Sequence, residues 1–397
     1  MSSAELVIVG GGTIGGWAAV MAREDGAARV LVVDAGLAGH GASTRAAGMV
    51  RAQGGTPTAV DLGRFSVDFY REQRRRYGID SDFREHGYLI FATAEEDVRA
   101  AHERVAMQRD CGVAARWVFP SEAAELMPVL DPEQILGATY CAQDGAIDPS
   151  RNVAAYLVAM RAVGAELVER TAVTGLRIQG GRVTGVQTAD HVIATERVIL
   201  AGGVGQRALA GLAGTRLPVG GTRHHVFVTS PARVFAGAPM AMGLDVAAGV
   251  YWRQEDDGLL FGISDPDEVP GVARAIDDGA QRRARKRLGE LVPASRGMGL
   301  RKAWAATIDY TPDHLPVLGP GLAHDGSPIE GLTVASAGGH GMMWGPGLAR
   351  AAVDVALHGA TLVTDVSFLG ADRFDADGRS RLAADPIALP FPDAVAP

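Results

Sequence analysis

The feature that most restricts this chain is a glycine fingerprint set between two short apolar runs. Leu6-Val7-Ile8-Val9 is continuously apolar and too short for a helix, which marks a strand buried on both faces. Gly10-Gly11-Gly12-Thr13-Ile14-Gly15 follows at once, and residues 13–23 read as a helix with small residues facing the strand. Residues 29–33 form a second buried run, closed by Asp34 and Ala35, with Asp34 standing 19 residues after Gly15. Strand, glycine turn, helix and strand ending in an acid is the context that gives G-x-G-x-x-G its meaning. Gly10 makes the tight turn, Gly12 lets a pyrophosphate reach the backbone, and Gly15 lets the helix close on the strand. Thr13 and Ile14 open that helix, whose free N–H groups attract phosphate. Asp34 suits ribose hydroxyls and repels a 2′-phosphate.

This unit does not separate nicotinamide from flavin dinucleotides. The continuation does. Residues 37–53 are irregular and glycine-rich, where a nicotinamide enzyme usually runs on into another helix and strand. The 52 glycines in 397 residues exceed the usual ~7% and fall in short clusters, which suits turns wrapped on a ligand. Further buried strands with glycine turns come at residues 197–203 and 332–341. Between them lie helices near 61–77, 94–110, 148–163, 272–291 and 346–357, strands near 88–91, 172–178, 183–188 and 224–229, and a hairpin around Asp256-Asp257-Gly258. The tail after Ala371 is weakly patterned. Buried parallel strands at the start, middle and end of the chain predict an α/β (overall α+β) architecture. A Rossmann-type domain is interleaved with an antiparallel-sheet substrate domain. The expected division is residues 1–80, 146–220 and 303–397 for the cofactor, and 81–145 and 221–302 for the substrate.

A formal net charge of -8 argues against nucleic acid, since no basic stripe is present; the run from Arg71 to Arg76 reads as a solvated helix face. Cys111 and Cys141 are the only cysteines and form no metal or Fe–S spacing, so no metal is expected and a reducing cytoplasm fits. No run of about 18 apolar residues predicts a membrane span.

The chain resembles the D-amino acid oxidase superfamily of flavoproteins, in the sarcosine oxidase, glycine oxidase and dimethylglycine dehydrogenase branch. Four segments carry the likeness: residues 7–15 with Asp34; Gly41 to Arg51; Val198 to Gly203; and Thr311 to Gly319 with Gly339 to Pro346. The resemblance implies FAD, with Ser43, Thr44 and Arg45 by the pyrophosphate, Gly48 and Met49 near the flavin ring, and Val173 at the adenine. It also brings Ala201 and Gly202 close to the cofactor, and makes Gly339, His340, Gly341 and Met342 the start of a helix aimed at the flavin. Relatives with covalent flavin bond it through His or Cys; Arg45 and Ala306 stand in those slots, which predicts non-covalent FAD. Leu260 and Met343 replace lysines of the oxidases, which leans toward the dehydrogenases.

The implied reaction is oxidation of a C–N bond in an amine or amino acid, secondary or cyclic, by hydride transfer to flavin N5, with oxygen or an electron carrier as acceptor. Arg51 is the candidate carboxylate grip. His224 and His225 alternate to opposite faces, so one of them is expected in the pocket, with His225 the candidate carried forward. Tyr251 or Trp252 lines an amine pocket while the other packs in the core, and His340 lies in the flavin-facing turn. Two other readings remain open at this stage: oxidation of a hydroxyacid, and a flavin subunit of an electron-transfer complex.

Overall fold

The computed structural model describes residues 3–392, so residues 1–2 and 393–397 of the predicted cofactor segments lie outside the described residues. Leu6–Val9 and Val30–Val33 are fully buried strands, and Thr13–Glu24 is the helix between them. They pair in parallel, Leu6 opposite Val30, while Val7 pairs with Val198 on the other side. Five parallel strands result, in the order Glu166–Val168, Val30–Val33, Leu6–Val9, Val198–Leu200 and Pro328–Ser336. The antiparallel strands Val173–Gln179 and Arg182–Thr188 extend one edge. Each fully buried Val or Ile in this centre stabilises the fold by about 1.5–3 kcal/mol, which is why four-residue strands suffice.

The chain leaves Leu6–Val9 to one side first and returns on the other through Val198–Leu200. Their carboxyl ends therefore open at a topological switch point, where doubly wound sheets bind ligands. Helix Thr13–Glu24 covers the sheet with Pro149–Val163 and Gly345–His358. It starts at Gly12 with no side-chain cap. Gly16 is obligatory in that layer, since a Cβ there would sit 2.4 Å from the Tyr156 ring.

A second sheet of eight strands carries the predicted antiparallel part, ordered Leu300–Tyr310, Gly220–Thr229, Gly258–Ile263, Val250–Glu255, Met242–Asp245, Tyr88–Ala92, Gly137–Cys141 and Arg116–Val118. Only the Met242–Asp245 and Tyr88–Ala92 pair is parallel. One face, with Phe227, Trp252 and Phe261, packs under helix Asp278–Leu291. The other, with Tyr88, Val226, Leu244, Tyr251 and Leu260, looks toward the first sheet. Leu300–Tyr310 pairs along its length with Gly220–Thr229, from Gly220 opposite Tyr310 to Thr229 opposite Leu300. The expected return to the cofactor part at residue 303 is therefore corrected: residues 303–310 belong to the second sheet. A small third sheet pairs Gly145–Ala146 with Met49–Val50 on one side and with Arg84–Glu85 on the other.

Helix boundaries follow local chemistry. Thr56 caps Pro57–Tyr77 by accepting from the Ala59 N–H, which starts that helix four residues before the expected one, and Gly78 ends it at φ +70°. Asp277 caps Asp278–Leu291, so residues 272–277 lie outside the helix expected from 272. The basic run lies on the exposed face of Pro57–Tyr77, with Arg71, Arg74 and Arg75 paired to Glu85, Asp80 and Glu72. Among the described residues no helix is long and apolar enough to cross a membrane.

Candidate active site

One cavity runs from Asp34, at the end of the second strand, to Tyr251 and Leu389 on the second sheet. Its near end is built by the fingerprint. Gly10 has φ +110°, and a Cβ on it would lie 2.3 Å from the Ala201 carbonyl oxygen. A Cβ on Gly15 would lie 1.9 Å from the Gly10 oxygen, whereas one on Gly12 meets only Ser43 Oγ, at 3.3 Å. Two of the glycines thus serve close packing, and the third leaves the helix N-terminus open to a ligand. Asp34 accepts from the Gly11 and Gly36 N–H groups, at 2.7 Å each, which fixes its carboxylate at the cavity edge.

Ser43 sits across the helix start, where its Oγ accepts from the Thr13 N–H at 3.1 Å. Asn152 donates to Thr13 Oγ1 and accepts from Trp17 Nε1, tying this corner to helix Pro149–Val163. Gly48 has φ +77°, and a Cβ on it would lie 2.2 Å from the Ile147 oxygen. The turn through Ala47 is held from the second sheet, since Trp304 Nε1 donates to the Arg45 oxygen and Arg253 Nε to the Ala47 oxygen. A second helix N-terminus arrives beside the first: a Cβ on Gly345 would lie 2.7 Å from Thr13 Cγ2. That helix starts at Gly345 rather than at Gly339, because Gly338 and Gly339 both hold positive φ in the turn before it.

Of the sequence candidates, Gly10, Gly12, Thr13, Ile14, Asp34, Ser43, Gly48, Met49, Ala201, Gly202, Gly339, His340, Gly341 and Met342 line the cavity. Gly15 acts from behind it. Ala35, Thr44, Arg45 and Val173 do not line it. Thr44 Oγ1 turns back to the Gly39 oxygen, and the Arg45 guanidinium folds onto the His40 and Gly41 carbonyls of its own loop. Val173 packs at the start of its edge strand. Arg45 is shifted down by burial and by Arg274, which itself lines the cavity. Two guanidinium groups crowded beside the turn suit an anionic ligand.

At the far end the candidates separate. Arg51 is buried and lines the cavity; it donates to the Gln53 oxygen and, at 2.8 Å, to the Ile387 oxygen, while its Nε has no partner. Tyr251 lines the cavity, and Trp252 packs on Phe91 in the core. The expectation for His225 is corrected. Its ring points to the helix side, stacks on Phe227 and accepts from the Asp277 N–H through Nε2 at 3.1 Å. His224 takes the cavity face instead, with Nε2 2.7 Å from the Tyr251 hydroxyl and the two rings stacked. Leu260 shares that face but is covered by its neighbours, and Met343 lines the wall.

Burial pushes His224 and His340 down to about 3, so both imidazoles are neutral at ordinary pH. Burial also raises the Tyr251 hydroxyl far above its usual range, so it stays protonated. With His340 Nδ1 set against the Gly338 oxygen at 3.2 Å, the neutral ring donates there and keeps a lone pair on Nε2, which has no protein partner. Sequence reasoning missed Tyr88, Leu244, Thr307, Ile308, Asp309 and Leu389 in the lining. Thr307 to Asp309 carried a weak signal in the alternation after Trp304; Leu389 carried none.

This geometry defines a dinucleotide-binding fold, and the comparisons with known proteins give it an oxidoreductase class. The sequence profile of the FAD dependent oxidoreductase family (DAO) matches residues 5–355, and the chain belongs to that family. It is 28% identical over 94% of its length to the 4-methylaminobutanoate oxidase (formaldehyde-forming) of Paenarthrobacter nicotinovorans, covering 46% of that protein. It is 29% identical to the glycine oxidase of Geobacillus kaustophilus (strain HTA426), over 83% of this chain and 92% of that one. Several curated relatives are much longer: the chain spans under half of the methylaminobutanoate oxidase and 36% of the mouse and human sarcosine dehydrogenases. Among solved structures, the L-proline dehydrogenase of P. horikoshii superposes with a TM-score of 0.86 at 25% identity, over 94% of this chain and 98% of that one.

The donor set fits FAD. One helix N-terminus opens on the cavity and the turn leading into a second helix lines it, Gly12 leaves a cradle that a Cβ would narrow, and Asp34 stands where a ribose would be held.

Proposed function

We propose that the protein oxidises the C–N bond of a secondary or cyclic amino acid, or a related amine bearing a carboxylate. The observation that carries this is the composition of the far end: a buried cation, Arg51, without a salt bridge among the described residues, beside neutral His340 and the neutral His224–Tyr251 pair. The names of four relatives point the same way, since methylaminobutanoate, sarcosine, dimethylglycine and proline are secondary or tertiary amino acids, whereas the glycine of the glycine oxidase is a primary one.

Bound FAD would accept the hydride from the substrate's α-carbon and so carry the redox step. The chain binds and orients. Arg51 suits the substrate carboxylate through a charge-assisted grip. The His224–Tyr251 pair and His340 offer neutral polar atoms to the amine without a competing positive charge. His224, His340 and Tyr251 are held uncharged by burial, so none of the three serves as a proton acceptor near neutral pH, and the amine would have to react as its neutral form. The Gly345–His358 helix, whose N-terminus follows the cavity-lining turn Gly339 to Met343, would lend partial positive charge to a bound FAD. Non-covalent FAD is part of this proposal, since Arg45 faces its own loop and Ala306 is an alanine.

The chain has two lysines, Lys286 and Lys302, and neither lines the cavity. That supports an electron carrier over oxygen as acceptor. Unpaired Cys111 and Cys141 suit a cytoplasmic setting. We assign the first sheet and its helices to the cofactor part, and residues 81–145 and 221–310 to the substrate part.

The test is acid precipitation followed by anaerobic absorbance titration of the purified holoprotein. Yellow supernatant and bleaching by secondary amino acids are expected, with slow recovery in air. Bleaching by hydroxyacids alone would overturn the amine assignment, and flavin left in the pellet would overturn non-covalent attachment.

A further inference from the structure

Residues 385–392 form no helix or strand, yet they are seated on three separate parts of the molecule. The Asp385 N–H donates to the Asp313 oxygen at 3.1 Å, and the Asp385 carboxylate accepts from the Ile387 N–H at 2.9 Å. Ser264 Oγ donates to the Pro390 oxygen at 2.5 Å. Three glycines distant in sequence make room for this strap. A Cβ would lie 2.0 Å from Asp385 Oδ1 at Gly55, 2.9 Å from Pro390 Cγ at Gly249, and 2.4 Å from Phe391 Cζ at Gly339. Phe391 stacks on Tyr310 and meets the edges of His314 and His340. A segment without regular structure that requires glycine at three sites is part of the fold, not a loose end.

Two of its groups reach the substrate end. The Ile387 oxygen accepts from Arg51 Nη2, and Leu389 lines the cavity while packing with Ile387 on the cluster of Tyr88, Leu244 and Tyr251. We infer that this strap is the specificity wall of the amine site: Leu389 limits the size of the group carried by the substrate, and the Ile387 carbonyl fixes the direction of Arg51. The inference rests on the amine reading for the identity of the substrate, but not for the existence of the wall. An apolar wall selects by size at about 10- to 200-fold per methylene-scale change. A wall built from a strap can be reshaped without repacking either sheet. Leu389 is only half-buried, so its replacement leaves the main clusters intact.

The experiment compares wild type, Leu389→Ala and Leu389→Phe as holoproteins, with two readouts. The first is perturbation of the flavin absorbance by straight-chain monocarboxylates from acetate to hexanoate, which needs no turnover. The second is kcat/KM along a series of N-alkyl amino acids of rising bulk. Leu389→Ala is expected to raise the preference for hexanoate over acetate about 10-fold or more, and Leu389→Phe to shift it the opposite way. Parallel size profiles in all three proteins, or no carboxylate response in any, would overturn the wall. A shifted carboxylate profile with no amine able to bleach the flavin would instead sink the amine reading and leave the wall standing.

Discussion

Replacing Tyr251 by Phe removes one oxygen atom and tests how the substrate end is held. The hydroxyl is 2.7 Å from His224 Nε2, and both residues are buried. His224 Nδ1 already lacks a partner, so the variant leaves the ring with no hydrogen bond in the protein. An orphaned buried polar group costs about 1–3 kcal/mol. For a chain of 397 residues the unfolding entropy is about 0.8 kcal/mol/K, so Tm falls by only about 1–4 °C. The ring stack at 5.4 Å is kept by Phe, which holds the loss to this scale. Activity moves further. Both groups line the cavity, and a loss of about 1–3 kcal/mol from the transition-state complex lowers kcat/KM by about 5- to 150-fold. The assay is anaerobic stopped-flow bleaching of the flavin by the best amine, with a thermal melt in parallel. His224→Ala completes a double-mutant cycle, and a coupling of about 1–3 kcal/mol is expected. Single effects that add to within about 0.5 kcal/mol would refute the idea that the pair acts as one unit.

Gly10→Ala should yield protein without bound flavin, because the added methyl collides with the Ala201 carbonyl at a backbone φ of +110°; normal flavin content after gel filtration would contradict this. Arg373→Met should cost about 3–5 kcal/mol in urea unfolding, since it strands the buried Asp313 carboxylate now gripped at 2.7 and 2.9 Å, and a loss under 1 kcal/mol would count against the pair. His340 is held at about 3 in the folded chain, against about 6.5 when unfolded. The unfolded state therefore binds more protons between those values, and stability drops as pH falls through that window. Asp144, raised by burial to about 6, works with the opposite sign, so the measurement is the difference between wild type and His340→Gln at pH 4.5, 5.5 and 6.5. A wild-type slope no steeper than that of the variant would dismiss the buried-imidazole account.

The nucleotide end was legible because its constraints are local. Gly10, Gly12 and Gly15 are fixed by backbone geometry within one turn, and four-residue apolar runs on either side of such a turn read as buried strands. The substrate end depends on register. Alternation placed His224 and His225 on opposite faces, but only the pairing of His225 with Ile263 and of His224 with Ala306 decides which face looks inward. Leu300–Tyr310 was missed because it opens on exposed Arg301 and Lys302 and continues through small alanines. Leu389 carried no pattern at all. A segment without periodicity reaches a site only through tertiary contact, and a single sequence does not display that.

The small sheet made by Met49–Val50, Gly145–Ala146 and Arg84–Glu85 has a consequence for motion. Its ladders join Met49–Val50, just after the turn at residues 45–47, to Gly145–Ala146 and through it to Arg84–Glu85, and Trp304 and Arg253 add side-chain ties from the second sheet to that turn. With connections of both kinds at the same seam, a clam-shell opening of the halves would have to break them. Traffic to the far end of the cavity must pass through loops at its rim, such as the one carrying Arg274. Turnover would then follow the breathing of short segments, so solvent viscosity should slow it far less than it slows enzymes that gate by whole-domain closure.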